Sequence, residues 1–269
     1  MSGCGYEVHT IGDCQLIRGD SYELLPTLQA DALITDPPYG IRFDWTKPKT
    51  QRTFNGLHSS GLNGDCWSGN IWGDDISFDP RPWLHFSQIV LWGAHLYATD
   101  LPRSAAWLMW DKREGTTPDH HGDGELAWTN LAGVLRIHRQ LWRGLIRAGE
   151  ENAVAKLHPA QKPLALMRWC VEKTTGVVLD PFAGSFTTAH ACMELSRPCI
   201  AIEIDPYYWE IGCRRIEAAY AQPRFPLWNN RETETRNVDP AFEKLVRKSD
   251  RERGVPHDHG HDGMDPLPH

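Results

Sequence analysis

Short apolar runs and helical stretches take turns along this chain, and that alternation leaves few folds open. Residues 14–18 read as a strand ending at Gly19-Asp20, with Ser21 as the N-cap of a helix reaching Leu28. Residues 31–35 return as strand, and 88–92 and 106–110 are two more apolar runs of strand length. Residues 135–142 form a weaker strand, because charges interrupt the pattern. Residues 163–175 then read as a helix with Leu164, Met167, Cys170 and Val171 on one side, followed by strand at 177–179 and helix at 187–195. Strand at 199–204 and an amphipathic helix at 207–219 complete the series. Strands alternating with helices predict an α/β fold with a doubly wound, mostly parallel sheet.

Composition narrows the function classes. With 41% hydrophobic and 23% charged residues in 269, the chain has enough apolar content for one good core. No apolar run is long enough to span a bilayer, and Met1-Ser2-Gly3-Cys4 does not open a signal peptide. Seven cysteines without a CxxC pair indicate neither a disulfide framework nor a zinc site, so reduced thiols in a cytoplasm are expected, with no membrane partner and no metal. A formal charge of −7 argues against non-specific coating of nucleic acid, yet leaves room for a local basic surface.

Two strand ends carry the chemistry. In Asp36-Pro37-Pro38-Tyr39 the prolines forbid further ladder pairing. Their carbonyls and the Asp36 carboxylate are fixed acceptors beside the flat Tyr39 ring, which suits an exocyclic amino group on a planar base; a rigid strand-end turn is the alternative. In Asp180-Pro181-Phe182-Ala183-Gly184-Ser185 an acid precedes a glycine turn into a helix, and Glu203 ends the next strand. Such a turn can face a ligand with its backbone N–H groups, and such a carboxylate can accept from ribose hydroxyls; a plain connection is the other reading.

Asp36-Pro37-Pro38-Tyr39 resembles the catalytic motif of amino-methylating DNA methyltransferases, and the 180–185 turn resembles their S-adenosylmethionine loop. "HPAQKP", residues 158–163, is similar to the "HPTQKP" segment of the β-class enzymes, and "IVLWGAH", "AAWLMWDKREG", "GELAW" and "IAIEIDPYYWEIGCRRI" extend the likeness over residues 14–219. The resemblance implies a Rossmann-like S-adenosylmethionine-dependent fold, circularly permuted so that the catalytic motif precedes the cofactor loop. It implies one methyltransferase domain over 1–222; beyond Pro223 the apolar pattern fades, and the end of the 223–269 extension reads as disordered.

The implied roles follow the motifs. Asp36, Pro37, Pro38 and Tyr39 would act on the base; Asp20 would lie near the cofactor adenine and Glu203 at the ribose. Asp180, Phe182, Ala183, Gly184 and Ser185 would surround the methionine part, with Lys162 closing the pocket. Adenine N6 in flipped-out double-stranded DNA is the expected target, with cytosine N4 as the alternative. Double-stranded DNA is the expected partner; the resemblance leaves open a homodimer, as β-class relatives often are, and either a solitary modification enzyme or one paired with a cognate restriction endonuclease.

Two departures stand out. The family loop continues Gly-Ser-Gly-Thr-Thr, whereas Phe186 stands here in the third position, where it either crowds the pocket or turns into the fold. The first outcome would leave an impaired DNA-binding relative. The stretch before His158 is also too short for a separate recognition domain. Reading of DNA is therefore expected from the 41–73 insertion, with Arg42, Lys47, Lys49 and Arg52 among aromatics, or from the arginine series that includes Arg139 and Arg143. The alternating histidines 257–261 read as a polar tail rather than a metal site.

Overall fold

The computed structural model describes residues 6–41, 71–116, 122–143, 146–148 and 156–222. In chain order the strands are β1 (Glu7–Ile11), β2 (Cys14–Arg18), β3 (Ala32–Thr35), β4 (Gln88–Trp92), β5 (Trp107–Asp111), β6 (Gly124–Thr129), β7 (Arg136–Arg139), β8 (Trp142–Arg143), β9 (Ile146–Arg147), β10 (Val178–Asp180) and β11 (Cys199–Glu203). The α-helices are α1 (Ser21–Leu24), α2 (Leu164–Val171), α3 (Thr187–Glu194) and α4 (Pro206–Ala221).

Nine strands form one sheet in the order β1-β2-β11-β10-β3-β4-β6-β5-β7, and β8 pairs with β9 in a separate ribbon. The central run from β2 to β4 is parallel throughout. Only β1 and β6 run against it, so β5 and β7 point the same way as the centre. The α/β, mostly parallel sheet read from the sequence is therefore the observed fold. Early and late strands interleave, because β2 lies beside β11 and β3 beside β10.

Both faces of the sheet are dry, which is why its central strands read as unbroken apolar runs. Leu16, Ile34, Val90, Trp92 and Ala201 point into one core with α2, α3 and α4. Ile17, Leu33, Leu91, Leu179 and Ile202 point into the other, with Phe78, Trp83 and Tyr97. Period-two alternation thus feeds two cores rather than one core and water.

Several boundaries differ from expectation. Asp20, not Ser21, caps α1: its carboxylate accepts from the Tyr22 N–H at 2.8 Å, and the helix gives way to a 3-10 turn, Leu25–Thr27, after one turn. The helix expected to run to Thr175 stops at Val171, where the Thr174 hydroxyl takes the Val171 carbonyl. Strands β1 and β6 were not read from sequence. The histidine tail and the 223–269 extension lie outside the described residues, and no described helix is long and apolar enough to cross a membrane.

Candidate active site

The register Val178↔Ala32 and Leu179↔Leu33 sets β3 and β10 side by side, so the turns that follow them leave the sheet as neighbours. Their roots are tied together: the buried Asp180 carboxylate accepts from Thr35 Oγ1 at 2.7 Å and from Thr188 Oγ1 at 2.5 Å, and from the Phe182 N–H at 3.2 Å. Burial pushes Asp180 above the usual carboxylate range, and the two threonine hydroxyls offset part of that rise. One cleft is lined by Asp36 and Lys162 on one side and by Asp180, Phe182, Ala183, Gly184 and Ser185 on the other. Two motifs far apart in sequence therefore share a cavity.

Beyond Thr35 the chain enters the proline turn. Tyr39 folds back so that its hydroxyl meets Asp36 Oδ1, with Lys162 Nζ at 3.4 Å. The ring lies against the backbone of Gly93, which has φ +71° just after β4; a Cβ there would sit 1.9 Å from Tyr39 Cε1. Only glycine satisfies both the left-handed backbone and this close approach.

Lys162, 9% exposed, forms ion pairs with Asp36 Oδ2 and with Glu125 Oε2 at 3.0 Å, and Glu125 Oε1 also takes Lys112. Burial raises the Asp36 carboxyl, Lys162 pulls it down and Glu125 pushes it up again, leaving it at about 6. Burial also acts against charge on Glu125, but the two lysines outweigh it and hold this acid at about 2. Lys162 stays charged, above the ordinary lysine range, because its two carboxylates outweigh its desolvation.

The second turn is braced from behind. Glu203 Oε2 accepts from the Gly184 N–H at 2.7 Å and Oε1 from the Asp205 N–H at 2.8 Å, while burial raises its carboxyl to about 7. The Ala183 N–H donates to the Ile202 carbonyl at 2.9 Å. The Ser185 hydroxyl lies 3.4 Å from Gln161 Oε1, and Arg215 donates to the Ser185 carbonyl at 3.0 Å. His158 is buried against Tyr208 and beneath Gly184, where burial lowers it to about 3 and keeps it neutral. The "HPAQKP" segment thus packs onto the glycine turn through His158 and Gln161.

Phe186 resolves the first departure. It adopts φ +58°, a conformation glycine takes without cost, and buries its ring completely against α4. Gly212 makes the room: a Cβ there would meet Phe186 Cδ2 at 1.7 Å. The side chain leaves the turn on the side away from the cleft, whose lining does not include it.

Asp20 stands apart from the cleft lining as the α1 cap, although Tyr22 beside it packs 5.9 Å from the Phe182 ring. Phe182 itself sits in an aromatic cluster with Phe78 and Trp83 at 5.8 and 5.4 Å. Pro37 is buried and Pro38 half-buried beside the Asp36 turn. Arg139 is exposed on β7, 3.7 Å from Asp111. Arg143 lies in β8, but its side chain and the whole of Arg42, Lys47, Lys49 and Arg52 lie outside the described residues. Glu125, Lys112, Gln161, Thr35 and Thr188 were given no role from sequence, although "GELAW", "DKREG" and "HPAQKP" contain three of them.

A family model described as DNA methylase, of the N6/N4 type, matches residues 112–214. The type II methyltransferase M.HpaI of Haemophilus parainfluenzae is 36% identical over 249 residues, covering 77% of this chain and 76% of that protein. The DNA adenine methyltransferase YhdJ of Escherichia coli strain K12 is 43% identical over 65 residues, 23% of this chain and only 22% of its own length. Among solved structures, the M1.HpyAVI–SAM complex matches at TM-score 0.44 and 22% identity, over 75% of this chain and 99% of that one. An alignment of more than a third identity over three quarters of both chains places the protein, whose two acid-ended turns share this cleft, in the N6-adenine/N4-cytosine DNA methyltransferase family.

Proposed function

We propose that this chain methylates the N6 amino group of adenine in double-stranded DNA, using S-adenosylmethionine and rotating the base out of the duplex. The observation that carries the reading is the single cleft lined both by Asp36 and by the 182–185 turn. A planar base amino group and a methyl donor need such adjacent seats, since the reaction is promoted by positioning and electrostatics.

The residues present fit the cofactor. Phe186 is packed under α4 and does not line the cleft, which the 182–185 turn borders together with Asp36, Lys162, Gln161 and His158. Glu203, at the end of β11 and outside the cleft lining, holds the Gly184 N–H and is assigned the ribose hydroxyls from its place after the glycine turn, and Phe182 with the 183–185 backbone borders the methionine end. When bound, S-adenosylmethionine supplies an electrophilic methyl group. Asp36 and the Pro37 carbonyl accept from the base amino group and direct its lone pair, and Tyr39 stacks on the base after releasing Asp36 Oδ1. Lys162 keeps the Asp36 carboxylate ionised near neutral pH.

The acid at the head of the motif favours adenine over cytosine, whose N4 enzymes more often carry serine there. The impaired-relative reading loses its motive, because Phe186 does not line the cleft. Nucleoside mass spectrometry on duplex DNA incubated with the protein and S-adenosylmethionine tests the proposal. N6-methyladenine is expected; N4-methylcytosine would overturn the base assignment, and no modified base would overturn the activity. Asp36→Ala should abolish transfer while calorimetry still shows cofactor binding.

A further inference from the structure

The Lys162 ammonium is hydrogen-bonded to Asp36 Oδ2 and to Tyr39 Oη at 3.4 Å, both on the proline turn, and is ion-paired with Glu125 Oε2 at 3.0 Å from another part of the chain. Glu125 has no place in the reading above. It stands on β6 opposite Trp110, 18% exposed, and its other oxygen takes Lys112, whose ammonium lies 4.6 Å from the Trp110 ring centroid. Two acids and two lysines therefore alternate from the cleft outward, in the order Asp36, Lys162, Glu125, Lys112. The series is neutral as a whole, and its inner end is the group that meets the base.

We propose that Glu125 is a positioning residue for methyl transfer: it holds the Lys162 ammonium at a fixed place on Asp36 Oδ2 and shares its charge, so that Asp36 is ionised yet still basic enough to accept the amino proton. The proposal rests on the amino-methylation reading. In that step the amino nitrogen bonds to the methyl carbon and gives one proton to Asp36. The sulfur–carbon bond of S-adenosylmethionine breaks, and its electrons stay on sulfur.

A lysine facing a single carboxylate in a dry site lowers that carboxylate's proton affinity strongly, by about one to three pKa units. A second carboxylate on the lysine's far side divides the attraction. Lys112, beyond Glu125, works the other way by drawing on Glu125's charge. The groups facing Asp36 are Tyr39 on its own turn, Lys162 ahead of α2, Glu125 on β6, Lys112 after β5 and Tyr97 in the turn after β4. Of these, Lys162 and Lys112 draw the Asp36 carboxyl down and Glu125 opposes their pull.

The arrangement predicts opposite effects from its two outer members. Single-turnover methyl transfer would be measured against pH for the full chain, for Glu125→Gln and for Lys112→Gln. Glu125→Gln keeps an oxygen for Lys162 but loses the charge. Its acidic limb should move down by about one pH unit. Its plateau rate should fall about ten- to hundredfold, with cofactor affinity unchanged. Lys112→Gln should move the limb up. A mere packing defect would not give shifts of opposite sign. Limbs that stay in place, or that move in the same direction, would overturn the proposal. Should Glu125→Gln not fold, an unmoved limb in Lys112→Gln overturns it alone. If the wild-type protein transfers no methyl group, the amino-methylation reading fails, and carboxyl 13C NMR titration of Asp36 decides the charge relay without turnover. Opposed shifts in the two variants uphold it, and their absence overturns it.

Discussion

The Thr35 hydroxyl donates to Asp180 Oδ1 at 2.7 Å, joining residues 145 positions apart at the base of the cleft. Both are buried, and the other Asp180 oxygen is held by Thr188, so the two turns are fixed to each other before any ligand arrives. Thr35→Val keeps the shape but leaves Asp180 Oδ1 with only the longer bond from the Phe182 N–H at 3.2 Å, and removing a hydrogen bond to a buried carboxylate costs about 1–3 kcal/mol. Urea denaturation should show that loss, and calorimetry should show weaker cofactor binding as the turns part.

Phe186 is held by two opposing terms. Its left-handed backbone costs about 1–2 kcal/mol relative to glycine, while truncating a fully buried Phe costs about 3–5 kcal/mol. Phe186→Gly should therefore destabilise the protein by about 1–4 kcal/mol in thermal or urea melts, the difference of those two terms. Cofactor affinity at saturating folded fraction should not fall, because the ring is not in the cleft. A gain in stability would mean that the αL strain outweighs the packing.

Gly93→Ala would drive a methyl group into the Tyr39 ring at 1.9 Å and strain a backbone at φ +71°. Tyr39 must move, and with it the stacking face and the partner of Asp36 Oδ1. Transfer to DNA should fall about a hundredfold in kcat/KM, the scale of a misplaced reacting group, with the cofactor dissociation constant nearly unchanged. Equal losses in both would place Gly93 in general stability instead.

Three described carboxyls retain protons longer in the folded chain than in the unfolded one, Asp180, Asp36 to about 6 and Glu203 to about 7, all chiefly through burial. The folded state then binds more protons than the unfolded state between about pH 4 and pH 7, so these groups make stability fall as pH rises through that window. Glu203→Gln removes one of the three and should flatten the decline. Urea midpoints at pH 5 and pH 8 would measure it, and an undiminished slope in the variant would contradict the assignment.

The parts legible in sequence are those where one signal decides the structure. The central strands are buried on both faces, so they appear as plain apolar runs, and the two acid-ended turns announce themselves through proline and glycine. Strand β6 gave no such signal: "GELAWT" opens on glycine and glutamate, and its strand form comes from pairing with β4 and β5 on either side. Glu125 was unreadable for the same reason, since its partners Lys112 and Lys162 reach it only through the fold. Asp20 shows a finer limit, because Asp20 and Ser21 have the same capping chemistry and only the backbone at Asp20, φ −80° and ψ 119°, decides between them. Phe186 broke a sequence rule that Gly212, far along the chain, makes harmless.

Strand β2 is hydrogen-bonded along its whole length to β11, from Cys14 beside Cys199 to Arg18 beside Glu203. The sheet's middle cannot close until the late half of the polypeptide has left the ribosome, and every earlier intermediate exposes an unpaired strand border. A chain cut short ahead of β11 would leave the border of β2 bare and is expected to aggregate rather than fold.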